Sequence, residues 1–392
     1  MGVVPDVDEV IDQARAAAGL ADFGAGDFRD GLGRLLEAFD REIALSDPAL
    51  DHYLGIVQRR LVNRLQIEEW YRTHPDVESV HVGPPVSITG LPRTGTTALA
   101  NMMSRDSAFR LLRLWEQDQP VPPPILEEEH RDPRYVAAVA EQERRERENP
   151  DAMALHIWDP DATDEDVELL GLSFRAQQFV LPIHDYHEWW RDGDMHAAYT
   201  YQRRAITLLQ SHRPPDRWLF KAPAHSYHLE AFFAAYPDAK VVVTHRDPAR
   251  VVPSTLSFVE SLAPPDLQAD LQVDPHEFGR RRAEHLRIGV ERMMAARARL
   301  SEQLGEDRFL DVFHRDFVTD PFATLDRVYE FIGREPTAES RDAMAAWHAR
   351  HRTGTHGDHR YTAEQYGLTV DGLRADFAPY IERYDVPLEP VG

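Results

Sequence analysis

Residues 88–101 read ITGLPRTGTTALAN, and Gly90 and Gly95 stand at the spacing of a phosphate-binding G-x-x-x-x-G-K-S/T loop. Thr96 and Thr97 follow Gly95 directly, so the lysine of that loop is missing. That lysine normally reaches the outer phosphates of a nucleoside triphosphate. Backbone N–H groups at a helix start, with the Thr hydroxyls, can still cradle an anion. Arg93 projects positive charge from the loop. The bland alternative is an ordinary strand-to-helix turn. A loop of this composition suits a nucleotide whose transferable group is not a γ-phosphate.

Two further segments carry charge at the ends of apolar runs. Residues 241–254 read VVVTHRDPARVVPS. The strand-like start ends at His245, Asp247 can cap a helix, and Pro248 suits its first position. Arg246 and Ser254 can then hold a second phosphate at the carboxyl edge of a sheet, where ligands bind in open α/β folds. The competing reading pairs Arg246 with Asp247 or another neighbouring carboxylate. Residues 220–228 read FKAPAHSYH. Lys221 is a point charge suited to phosphate or sulfate oxygens. His225 is a candidate general base, because imidazole titrates near neutral pH. His228, His184 and His187 are its rivals for that role.

These segments need strands and helices to position them. Residues 85–89, 217–221, 240–245 and 308–313 read as strands. The unbroken β-branched run in 240–245 suits a strand buried on both faces. Helical patterns cover 96–104, 227–236, 249–262, 277–304 and 321–332. The alternation predicts an α/β fold with a P-loop-type parallel β-sheet flanked by helices. Residues 1–80 form a predicted N-terminal helical region packing on the core, with Val10, Ala14, Phe28, Leu32, Leu36 and Phe39 at helical spacing. Residues 81–392 form the α/β domain, with a large, mostly helical insertion at about 106–216 and a closing segment at about 348–392. The charged run 127–148 reads as a solvated helix face.

Net charge is −23, which argues against nucleic-acid partners and anionic membrane surfaces. The sequence contains no run of about eighteen apolar residues that would span a bilayer, and the acidic start MGVVPDVDEV lacks a secretory n-region. With no cysteine, disulfides, thiol nucleophiles and thiolate metal sites are excluded. A cytoplasmic location is the expectation. His348, His351, His356 and His359 raise a metal reading, but imidazole ligands normally come with a carboxylate or thiolate in a fixed site, and no metal is expected.

In their order and spacing the three segments resemble sulfotransferases that use 3′-phosphoadenosine 5′-phosphosulfate (PAPS), specifically the bacterial, largely actinobacterial branch. GLPRTGTT resembles that family's 5′-phosphosulfate loop, usually PKSGTT or PRSGTT. The resemblance implies that Arg93 touches the transferring group and that Thr94, Gly95, Thr96 and Thr97 bind the 5′-phosphate. HRDPARVVPS resembles the 3′-phosphate motif, with Arg246 and Ser254 in its arginine and serine positions. KAPAH resembles the lysine-and-histidine segment. In many cytosolic members the histidine lies two residues after the lysine; here position 223 is Pro and the histidine is His225. A basic C-terminal segment completes the 3′-phosphate site in related enzymes, which implies that Arg360 or Tyr361 closes over the nucleotide.

The implied reaction moves the sulfuryl group from PAPS to a hydroxyl without a metal, leaving adenosine 3′,5′-bisphosphate (PAP). Arg93 and Lys221 would stabilise charge and His225 would deprotonate the acceptor. The acceptor is expected to be a small, apolar alcohol or phenol, held by aromatics such as Trp115, Trp158, Phe174, Phe179, Tyr186, Trp189, Trp190, Tyr199 and Tyr201. Each of these singly also fits ordinary core packing. Two other readings stand beside this one, a P-loop kinase or NTPase and a non-catalytic nucleotide-binding protein. Homo-oligomerisation is left open.

Overall fold

The computed structural model describes residues 2–148, 159–162, 164–178, 180–262, 273–351 and 362–390. Three helices come first: α1 (Val7–Ala18), α2 (Phe28–Arg41) and α3 (Asp47–Thr73). Asp6 caps α1 by accepting from the N–H of Glu9 at 2.8 Å, and Gly19 ends it in the left-handed conformation. The predicted spacing buries Val10, Ala14, Phe28, Leu32, Leu36 and Phe39.

Strand β1 (Val86–Gly90) follows and runs into the glycine loop and helix α4 (Thr96–Met103). Strand β2 is only two residues, Phe109–Arg110. It pairs with the start of a later strand, and its neighbour Ala108 accepts from the N–H of Arg217 at 3.0 Å. So short a strand has no period to read, and it falls inside the stretch read from sequence as mostly helical. Helix α5 (Pro133–Glu148) buries none of its residues, as expected for the charged run. Then come α6 (His196–Gln210), β3 (Arg217–Lys221), α7 (Leu229–Ala235), β4 (Lys240–His245), α8 (Pro248–Leu262), α9 (Pro275–Leu304), β5 (Phe309–Phe313) and α10 (Pro321–Ile332). The helix expected over 227–236 is divided. A 3-10 turn, Pro223–Tyr227, precedes α7, with His228 between them at φ −136°.

All strand pairs are parallel, in the order β2-β3-β1-β4-β5. The central strand β1 therefore lies between β3 and β4. Ile88 faces Lys221 in register on one side, and Gly90 faces Thr244 on the other. Alternation splits the strands between two cores. Trp218, Phe220, Val241 and Val243 pack with the N-terminal helices and α6. Val86, Ile88, Leu219 and Val242 pack with α4 and α10. No helix among the described residues is long and apolar enough to cross a membrane.

The N-terminal helices are fastened by Arg64, which has 0% exposure. Its guanidinium donates to the carbonyls of Phe23 at 2.7 Å and Leu172 at 3.2 Å, and it stacks on Tyr201 at 3.6 Å. Arg64→Leu strips those carbonyls of their donor in a dry interior. The expected loss is about 3 kcal/mol or more, read as the urea unfolding free energy.

Candidate active site

The loop after β1 is shaped by three residues with positive φ. Gly90 has φ +129°, and a Cβ there would lie 2.4 Å from the carbonyl oxygen of Thr244. Only glycine lets the two strands approach so closely. Arg93 has φ +61° and Gly95 φ +93°. The strained Arg93 backbone turns its carbonyl toward Arg246, whose Nη1 donates to it at 3.1 Å. Gly95 sits at the N-cap of α4 and offers no side-chain cap. The first N–H groups of α4 thus receive no side-chain acceptor from the cap, the arrangement that favours an anion. The Thr94 hydroxyl is engaged inside the fold. It donates to the Leu91 carbonyl at 2.6 Å and meets the Thr244 hydroxyl at 2.6 Å. Thr96 is buried and Thr97 half-buried on the first turn.

The second segment begins where β4 ends. Asp247 is fully buried and accepts from the N–H of Ala249 at 2.9 Å, which starts α8 as the sequence predicts. Seven residues after Asp247, Ser254 accepts from Arg93 Nε at 3.2 Å. Arg93, Arg246 and Ser254 are therefore one contiguous group, although 150 or so residues separate their segments in sequence. Arg246 also forms a bidentate pair with Glu389, at 2.9 and 3.1 Å. The alternative weighed for Arg246, an ion pair with a neighbouring carboxylate, is thus present, but the partner is Glu389 and not Asp247. Arg250 Nε and His314 Nδ1 lie 3.9 Å from the same carboxylate. Burial and then the positive charge of Arg246 bring the His314 pKa down to about 4. The backbone of Glu389 is held as well. Its N–H donates to Asp247 at 2.9 Å, and Arg374 bridges the Asp247 carboxylate at 2.6 Å to the Glu389 carbonyl at 2.7 Å. Arg360 and Tyr361, expected to close this site, lie outside the described residues.

Lys221 ends β3 beside the glycine loop and is 2% exposed. The chain after it is locked to β1. Ala222 N–H donates to the Ile88 carbonyl at 3.2 Å, and the Thr89 hydroxyl donates to the Ala222 carbonyl at 2.8 Å. The Lys221 ammonium meets a Glu165 oxygen at 3.4 Å. Burial raises the pKa of Glu165, with Lys221 opposing that effect.

His225 is fully buried, and both of its ring nitrogens are engaged. Nε2 faces the Asp166 carboxylate at 2.8 Å and Nδ1 faces the Tyr199 hydroxyl at 2.7 Å. With Nε2–H donating to the carboxylate, Nδ1 accepts from the phenol. Gln202 donates to Asp166 at 2.7 Å and completes the network. In that tautomer both ring nitrogens of His225 are committed to these two partners. Of its rivals, His228 keeps a buried Nε2 without a hydrogen-bond partner among the described residues. Burial pulls His228 down to about 3, His184 down to about 4 and His187 well below its ordinary value. His184 and His187 line a separate cavity of about 270 Å³ with Arg280, Arg281, Arg282 and His285.

A cavity of about 270 Å³ opens at the segment that carries Glu165. Leu114, Trp115, Ala137, Ala138 and Ala162 supply apolar lining, and Asp118, Arg134, Glu141, Arg145, Asp159 and Asp164 line it with charge. Of the aromatics expected to form an acceptor pocket, Trp115 lines this cavity. Trp158 and Phe179 lie outside the described residues. Phe174, Tyr186, Trp190, Tyr199 and Tyr201 are buried in the core instead. Sequence reasoning missed Glu165, Asp166 and Glu389. The run Asp164-Glu165-Asp166 was visible as an acidic cluster, but nothing local in it points to Lys221 or His225.

A parallel sheet whose central strand feeds an uncapped helix start defines a P-loop-type α/β protein. The chain belongs to the sulfotransferase family, whose model matches residues 84–339. It is similar to the solved sulfotransferase STF9 from Mycobacterium avium, at 29% identity and a TM-score of 0.89, over 100% of this chain and 99% of that one. It is also similar to sulfotransferase STF1 from Mycobacterium tuberculosis H37Rv, at 29% identity and a TM-score of 0.83, over 96% of this chain and 99% of that one. No curated protein matches the chain in sequence.

The buried network makes one stability prediction. His225→Ala strands the Asp166 carboxylate and the Tyr199 hydroxyl, and should lower unfolding free energy by about 3 kcal/mol. Urea denaturation checks this, and a loss below about 1 kcal/mol would mean that the network contributes little.

Proposed function

We propose that the protein transfers the sulfuryl group of PAPS to the hydroxyl of a small acceptor with an apolar body. The observation that carries this reading is the joining of Arg93, Ser254 and Arg246 across two loops. One loop offers uncapped helix N–H groups and no lysine for a γ-phosphate; the other offers a second cationic pocket. A nucleotide with charge at both its 5′ and 3′ ends matches both.

In this reading the 5′-phosphate rests on the N–H groups of Gly95, Thr96 and Thr97. Thr94 contributes through its backbone, since its hydroxyl shapes the loop. The 3′-phosphate takes the place of the Glu389 carboxylate between Arg246, Arg250 and His314, and Ser254 can turn its hydroxyl to it. Transfer is an in-line displacement in which negative charge grows on the bridging oxygen of the leaving nucleotide. Lys221 and Arg93 stabilise that charge, and fixed cations of this kind serve without a metal because a sulfuryl group carries less charge than a γ-phosphoryl group. The cavity beside Trp115 receives the acceptor. Within this scheme His225 acts as a positioning residue: it holds Asp166, and with it the segment that faces Lys221. The products are a sulfate ester and PAP.

Titration calorimetry on two variants tests the nucleotide assignment. Arg246→Ala should weaken PAP binding by roughly a hundredfold, because truncating one partner of a paired charge costs about 2–5 kcal/mol, while 5′-AMP affinity changes little. Glu389→Gln should strengthen PAP binding by roughly three- to tenfold, because a competing charge is removed from the pocket. Equal losses of PAP and 5′-AMP in Arg246→Ala, or weaker PAP binding in Glu389→Gln, would refute the 3′-phosphate assignment.

A further inference from the structure

Both ring nitrogens of His225 are engaged, and the acidic segment before Val167 offers the acceptor proton another destination. Asp166 is 1% exposed and clamped by His225 and Gln202. Asp164 is tied on the other side, where its N–H donates to the Leu112 carbonyl at 3.0 Å, and it lines the cavity beside Trp115. Glu165 lies between these two anchors. Its side chain keeps 27% exposure, and one oxygen meets the Lys221 ammonium at 3.4 Å. Lys221 in turn stands in register beside the strand that ends in the glycine loop. Glu165 thus joins a contact to Lys221 with a place in sequence directly after Asp164, which lines the cavity. Neither Asp164 nor Asp166 has that combination of partner and exposure.

We propose that Glu165 is the proton acceptor of the transfer. This rests on the sulfotransferase reading above and deepens it. The Glu165 carboxylate takes the hydroxyl proton as the acceptor oxygen forms its bond to sulfur. The bond between sulfur and the bridging oxygen breaks, and its electron pair leaves on the 5′-phosphate of PAP, beside Lys221. Before substrate arrives, the Lys221 contact holds the carboxylate in place. His225 and Gln202 fix Asp166, and so fix the backbone on which Glu165 is mounted.

The titration has a definite sign. Burial raises the Glu165 pKa, Lys221 on β3 lowers it, and Asp164 and Asp166 on its own segment raise it, with a net upward shift. The reactive form is the carboxylate. Activity should therefore rise with pH through a pKa above the ordinary glutamate range and level off beyond it.

The test uses radiolabelled PAPS with three acceptors: 2-naphthol, 4-nitrophenol and water. In mildly alkaline buffer, a full pH unit above its pKa, 4-nitrophenol is largely ionised and needs little base help, whereas 2-naphthol stays protonated. Glu165→Gln should lower kcat on 2-naphthol and on water by about 10²–10⁴-fold. The loss on 4-nitrophenol should stay within roughly tenfold, and PAP affinity should change little. The rising limb of the pH profile should disappear, and Glu165→Asp should restore part of the 2-naphthol rate. Unchanged rates would overturn the proposal. So would equal losses on both phenols, which would mean that Glu165 serves only as a partner for Lys221. A wild-type protein that releases label to none of the three acceptors would sink the sulfotransferase reading itself. Label release by wild type and Glu165→Gln alike would sink only the assignment of Glu165.

Discussion

The seam between β1 and β4 is closed by hydroxyls in place of side-chain bulk, and the placement of every charged group at the site depends on it. Thr244 donates to the Thr89 carbonyl at 3.1 Å and meets the Thr94 hydroxyl at 2.6 Å. Gly90 contributes no Cβ where the Thr244 carbonyl passes. Thr89 reaches the other way and donates to Ala222 on the β3 side. A single short strand is thus bolted to both neighbours at its carboxyl end. Parallel pairing then puts Lys221, Arg93 and Arg246 at one sheet edge, although their segments are far apart in sequence.

The local charge pattern runs against the whole. A chain of net charge −23 concentrates Arg93, Arg246, Arg250 and Lys221 around one edge. Clustered cations would repel one another, and desolvation would penalise the buried Lys221 most. The fold supplies internal carboxylates, Glu389 for Arg246 and Glu165 for Lys221. Both pairs lie where the proposed function requires an anion or a proton transfer. The same two residues are therefore read both as counter-ions of the substrate-free protein and as groups that respond to substrate.

Much of the architecture was legible because it is written in local patterns. The run Val241-Val242-Val243 declared a strand buried on both faces, and all three are fully buried. The Asp247-Pro248 pair announced the start of α8. The glycine loop was legible from two glycines and two threonines. The remainder was hidden because it consists of contacts between distant segments. Asp166 meets His225 across 59 positions, and Glu389 meets Arg246 across 143. Neither carboxylate has a neighbour in sequence that marks it. His225 was marked by its type and its place at a strand end, whereas its burial against Tyr199 and Asp166 is a property of the fold that no spacing rule contains. The two residues of β2 are too few for any periodicity to show.

The central claim is that this edge of the sheet reads a nucleotide by its 3′-phosphate and has no place for a γ-phosphate. Thermal unfolding of the protein with PAP, compared with ATP and magnesium at the same concentration, addresses it most directly. Ligand that binds only the folded state raises the midpoint in proportion to its binding free energy. PAP should raise the midpoint by several degrees and ATP with magnesium by little. A larger shift with ATP and magnesium than with PAP would contradict the account.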